Sequence, residues 1–170
     1  MAKRFAEIER RIGAQEQAIR NAWNGAAAAQ NINGGNPSLL APGVYGPLLS
    51  AGPIVRFYVP NTGAVAFGMY MQSDLTLPIS ATNVAGRNEA AVELSGNNVR
   101  ACQPNEALWH ACSGAPSTVQ EYQGIGVSRV VLLTGLAEGP TTFQMKFRSD
   151  KVGVGVGAFV SGIVLTVTAA

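Results

Sequence analysis

The chain has 170 residues, of which 47% are apolar, 13% charged and 7% aromatic, and its formal net charge is +2. So high an apolar content at so low a net charge excludes a disordered chain. Residues 1–24 carry five basic and three acidic side chains and residues 25–170 seven of each, so the clustered basic surface that grips nucleic-acid phosphates is missing. Val and Ile together number 25 against 12 Leu, a β-branched core set that points to sheet.

The first segment reads as a helix. Phe5, Ile8, Ile12, Gln15, Ile19 and Ala22 follow one another at spacings of 3, 4, 3, 4 and 3, the a and d positions of a coiled coil. In a parallel in-register coil each g residue meets the e residue five places later on its neighbour. Those pairs are Arg4 with Glu9 and Arg11 with Glu16, both opposite in charge. Ile at both a and d shifts the preference toward trimers, and Gln15 would fix the register, so the pattern predicts a parallel homotrimer. The alternative is that the stripe packs on the chain's own β domain. The basic start, Lys3 and Arg4, leads into Glu7 and Glu9 rather than an apolar run, unlike a secretory signal.

Residues 25–51 change character. No charge occurs between Arg20 and Arg56, and Gly34, Gly35, Pro37, Pro42, Gly43, Gly46 and Pro47 forbid a long helix or a central strand. Leu39, Leu40, Val44, Tyr45, Leu48 and Leu49 are too apolar to float free. The expected structure is an extended strap lying on the β domain or on a neighbouring subunit.

Residues 52–170 read as short strands separated by turns. The clearest is Thr142 to Arg148, where Phe143, Met145 and Phe147 alternate with Gln144, Lys146 and Arg148. The others are Ile54 to Val59, Ala64 to Met71, Leu75 to Ile79, Ala90 to Leu94, Asn98 to Gln103, Ala107 to Cys112, Ser128 to Thr134 and Phe159 to Thr168. About nine strands near ten-residue spacing predict an antiparallel β-sandwich, jelly-roll-like, behind the coiled-coil helix. The uncharged final stretch from Val152 is interrupted by Gly153, Gly155, Gly157 and Gly162. Its period-two row of Phe159, Ser161, Ile163, Leu165 and Val167 predicts a strand rather than a membrane insertion.

No catalytic, cofactor or metal motif emerges. His110 beside Trp109 is the sole histidine, and neither HExxH nor GxSxG occurs. One His with Cys102 and Cys112 cannot complete a structural zinc site. The two cysteines either face each other across a hairpin or serve as separate small core residues. Glu89 and Glu93 are read as solvated surface acids. The Gly153 to Gly157 run has too little chain behind it for a dinucleotide fold and is read as a glycine-rich turn or bulged strand.

The stretch with Thr134, Gly135, Leu136, Gly139, Phe143, Phe147, Arg148, Gly155 and Gly157, closing in the strand Phe159 to Thr168, resembles the C-terminal hairpin region of small β-sandwich proteins from tailed-phage particles. The heptad Phe5 to Ile12 resembles the opening of phage minor tail proteins. The resemblance implies a homotrimeric, non-enzymatic component of the virion exterior, assembled in the host cytoplasm and contacting other virion proteins of tail or capsid. A tail-associated adhesion role would add a host cell-surface glycan as partner, with Tyr58, Tyr70, Trp109 and Tyr122 as the aromatic candidates. A capsid decoration or head-fibre role is the alternative. A small carbohydrate-active enzyme is the remote one, and it would need two carboxylates converging in a cleft.

Overall fold

A computed structural model describes residues 8–13, 27–31, 44–47, 52–78, 84–114, 120–152 and 156–170. Eight strands are named among them: β1 Ala27–Asn31, β2 Ile54–Val59, β3 Val65–Leu77, β4 Val84–Gly96, β5 Leu108–Gly114, β6 Glu121–Leu133, β7 Gly139–Val152 and β8 Gly157–Ala169. They form two antiparallel four-stranded sheets, ordered β1-β8-β3-β6 and β2-β7-β4-β5. The pairs β1 with β8, β2 with β7, β3 with β6 and β4 with β5 are those of one long hairpin wrapped around a common core, which defines a jelly roll. We call the sheets A and B in that order.

The core follows from alternation. In β3 the odd residues Val65 to Leu77 are buried and the even ones turn outward. In β7 the buried row is Phe143, Met145 and Phe147. Val65, Phe67, Met69 and Met71 and the β7 row meet Phe57 of β2 and Ile163, Leu165 and Val167 of β8 in one apolar cluster. Phe143 stands edge-on to Phe57 with ring centroids 6.5 Å apart, the favoured geometry for an aromatic pair.

The structure corrects three sequence expectations. The expected strands Ala64 to Met71 and Leu75 to Ile79 meet in β3, which runs through to Leu77 with Ile79 outside the described residues, because Gln72, Ser73 and Asp74, which read as a turn, continue the alternation. Ser73 is buried and its hydroxyl lies 2.9 Å from both Asn88 Nδ2 and His110 Nδ1. Asn98 to Gln103 is not a strand; only the bridge of Arg100 to Leu94 forms there, and a 3-10 turn follows at Pro104–Glu106. In β8, Phe159 and Ser161 do not share the inward row of Ile163, Leu165 and Val167. A register shift opposite Tyr70 and Gln72 inserts one extra residue in β8, and Gly162 there takes φ +54°, a left-handed conformation that glycine adopts without strain. The bulge flips the parity, so Ala158 and Val160 point inward and Phe159 outward.

The strap is partly built into the sandwich. Its residues 27–31 form β1 at the edge of sheet A. Gly46 exchanges two backbone hydrogen bonds of 2.9 Å with Phe147, and Pro53 O accepts from Met145 N, so pieces of it run along β7 ahead of β2. Residues 8–13 are helical and exposed, Ile8 and Ile12 included. The remaining seam positions Phe5, Gln15, Ile19 and Ala22 lie outside the described residues, as do Arg4, Glu16 and the glycines 153 and 155. Cys102 and Cys112 are free thiols, and burial pushes that of Cys102 up to about 11. No described helix is long and apolar enough to cross a membrane.

Replacing Phe143 by Ala should cost about 3–5 kcal/mol, since it empties the centre of the cluster. Equilibrium denaturation checks this, and a loss under 1 kcal/mol would contradict the packing described.

Candidate self-association face

Each sheet has an outward row that the core does not use, and the two rows differ in chemistry. The outer face of sheet B presents Arg56, Arg87, Glu89, Glu93, Lys146, Arg148 and Asp150. On sheet A the described outward positions of β3, β6 and β8 include a single ionisable carboxylate or cation, that of Asp74.

Six of these seven side chains, all but Arg56, stand in ion pairs with one another. Glu89 is fully buried, a correction to its reading as a solvated acid. Arg148 donates to both its carboxylate oxygens at 2.8 and 2.9 Å, and the Tyr45 hydroxyl donates at 2.6 Å. Arg87 Nε adds an ion pair at 2.6 Å, though not in hydrogen-bond alignment. The Arg148 guanidinium lies over the Tyr45 ring and that of Arg87 over Trp109, so the strap roofs the network through Tyr45. Burial acts to raise the Glu89 carboxyl, but the hydrogen bonds from Arg148 and Tyr45 and the two guanidinium charges outweigh it and hold the group below its ordinary value. Burial and the Glu89 hydrogen bond push the Tyr45 phenol well up. Glu93 pairs with Lys146 and Glu106 with Arg100.

Ser73 and His110 are hydrogen-bonded, yet Ser73 is fully buried and no substrate reaches its hydroxyl. Burial lowers the His110 value against the opposing Asp74 charge. Asp74 itself sits on the opposite side of β3, so the three do not align as a nucleophile, base and orienting acid. Among the described residues no group of three or more His, Cys, Asp and Glu side chains could hold a metal ion.

Sheet A's outer face has the character of an interface. Register sets Leu132, Val130, Ser128 and Tyr122 of β6 beside Ala66, Gly68, Tyr70 and Thr76 of β3, and Val164 and Phe159 of β8 lie on the other side. Val130 is 75% exposed and Leu132 61%. β6 is also an edge strand 13 residues long. Lysine, proline and bulges usually guard such an edge, and here they are absent. Its one basic residue, Arg129, is spent donating to the Ala107 and Asn105 carbonyls. A largely apolar sheet face with one carboxylate, joined to an open edge, is the composition of a surface covered by another chain. It is equally suited to identical copies, since Asp74 is the one charge each would bring to it.

The sequence-predicted seam residues Ile8 and Ile12 are exposed, as are Glu9 and Arg11. Of the aromatic candidates, Tyr70 and Tyr122 fall on sheet A's outer face, Trp109 stacks with Arg87 on sheet B, and Tyr58 donates to Glu138. Sequence reasoning passed over Val130 and Leu132. Their signal was the run of four apolar residues Val130 to Leu133, in which both parities cannot be core in a two-layer fold.

No family model matches the sequence, and no curated protein does. Among solved structures the chain is similar to the globular domain of zebrafish complement 1qA protein, with 14% sequence identity over 84% of this chain and 93% of that one and a TM-score of 0.31.

Glu89→Gln should destabilise the fold by about 3 kcal/mol, because it leaves two guanidinium groups around a neutral amide. Since the folded carboxyl titrates below its free value of about 4.5, its stabilisation is complete above that pH and is lost as pH falls through the folded value. Thermal melts across pH 2–7 should therefore show a steeper acid decline for the parent than for Glu89→Gln. Separately, Val130→Asp and Leu132→Asp should leave the melting temperature of the subunit nearly unchanged while reducing particle mass in mass photometry; an unaltered mass would remove this face from any assembly.

Proposed function

We propose that the chain is a non-enzymatic structural protein of the exterior of a tailed-phage particle, a homotrimer in which three jelly-roll sandwiches form a knob on a short parallel coil. The observation that carries the reading is the largely apolar outer face of sheet A, with Val130 and Leu132 exposed at its open edge. Three helices zipped through Phe5, Ile8, Ile12, Gln15, Ile19 and Ala22 bring three such faces together. Coils of about three heptads are marginal alone, so helix and sheet face support one another. The segregation of every ion pair named above to sheet B or the loops beside it fits a knob with one dry side and one wet side.

The role is mechanical: attachment at the tail, with presentation of a host-facing surface. Capsid decoration is the second reading, favoured by the short helix and by the 7% aromatic content, which is sparse for an adhesin. The virion assignment itself rests on the sequence resemblance of the region from Thr134 onward and of the opening heptad.

Ile12→Asp combined with Ile19→Asp should convert a trimeric mass into smaller species, because the seam would have to bury unpaired charge. A monomeric parent protein under the same conditions would overturn the trimer. Immunogold labelling of intact particles discriminates tail from head, and absence from both would overturn the virion reading.

A further inference from the structure

At the end of sheet A remote from Leu132, the outer face carries a recess of about 280 Å³ lined by Asp74 and Thr76 of β3, Tyr122 of β6 and Gly157, Ala158 and Phe159 of β8. Register places Thr76 between Tyr122 and Gly157, and Asp74 between Gly124 and Phe159. The two aromatic side chains thus rise from the strands on either side of β3, diagonally across the carboxylate. A glycine at 124 gives the carboxylate its room, since a Cβ there would stand 2.6 Å from Asp74 Oδ1. The bulge at Gly162 turns Phe159 out of the core and into this recess.

The chemistry of the recess is that of an anion without its partner cation. Glu89, Glu93, Glu106 and Asp150 each have an arginine or lysine within ion-pair distance, whereas no such cation stands beside Asp74 among the described residues. Its polar neighbour on β6 is Tyr122, which lines the same recess. A half-exposed carboxylate flanked by two exposed aromatic rings attracts an organic ammonium group twice, through charge and through the ring faces. A neutral sugar ring would stack on the same rings and leave the carboxylate uncompensated. A metal ion would find one carboxylate and one hydroxyl where Ca²⁺ takes six to eight oxygens.

We infer that the recess between Tyr122 and Phe159 binds an alkylammonium cation, with the Asp74 carboxylate as counter-ion. The inference stands on one subunit and does not rest on the trimer or the virion assignment. The shared chemistry admits two sources, a choline-type headgroup and a lysine side chain, which separate titrations distinguish.

The test is a two-dimensional NMR titration of the full chain, and of the Val130→Asp variant, with choline chloride and with Nα-acetyl-lysine amide, against sodium chloride and glucose controls. Saturable shifts at Tyr122, Phe159 and Asp74 are expected with at least one ammonium compound and with neither control. Asp74→Asn should weaken the binding about tenfold or more, and Tyr122→Leu severalfold. Both positions are on the exposed face, so unchanged melting curves certify the fold. The inference is overturned if neither preparation binds an ammonium compound, if sodium moves the same signals equally, if glucose saturates where both ammonium compounds fail, or if Asp74→Asn binds as the parent does. Loss of the oligomer in Val130→Asp with the ammonium shifts retained separates failure of the assembly reading from failure of this one.

Discussion

An extended chain sends successive side chains to opposite sides, and in a two-layer sandwich only one of those sides is shared. Once Phe67, Met69, Phe143, Met145, Ile163 and Leu165 fill the space between the sheets, the other half of every strand faces outward with its composition unconstrained by the core. The outward rows are therefore where the specific properties of the molecule lie. In sheet B that half is ionic and locked by Glu89 and its two arginines. In sheet A it is small and apolar, with one carboxylate.

The two faces answer different costs. A buried carboxylate such as Glu89 is tolerable only when every oxygen is occupied, and Arg148, Arg87 and Tyr45 achieve that while fastening the strap to the sheet. The polar inclusion inside the sandwich follows the same rule in part. Asn88 Nδ2 donates to Ser73 Oγ and to the Phe159 carbonyl, while Asn88 Oδ1 and Ser149 Oγ, neighbours across β4 and β7, have no partner among the described residues. This strip divides the apolar interior into the main cluster and the smaller one around Leu75, Leu77 and Val156, next to the end of the sheet where Asp74 and Phe159 emerge.

Much of the architecture could be read from residue order because alternation is a local property. Ile54–Val59 coincides with β2, and Phe143, Met145 and Phe147 lie inward as their pattern requires. Readings failed where a partner outside the window sets the outcome. Ser73 looks like a turn residue until Asn88 and His110 meet it across the sandwich. Glu89 looks solvated until Tyr45 arrives from 44 residues upstream. Phe159 looks inward until a one-residue bulge shifts the phase of β8. The apolar face of sheet A was hidden for a related reason, because Val130 and Leu132 resemble core residues in a chain where nothing local reveals which layer lies beyond them.

The nested pairing also sets a timetable. Ala27 is matched with Val167 and Phe67 with the same residue from the other side, so the last strand is the hub on which two early ones settle. During synthesis the N-terminal half emerges with no mate for β1 or β3, and the sandwich cannot close until the ribosome has released β8. Such distant pairing makes for slow folding, and the nascent chain must be kept from its neighbours on the polysome throughout that wait.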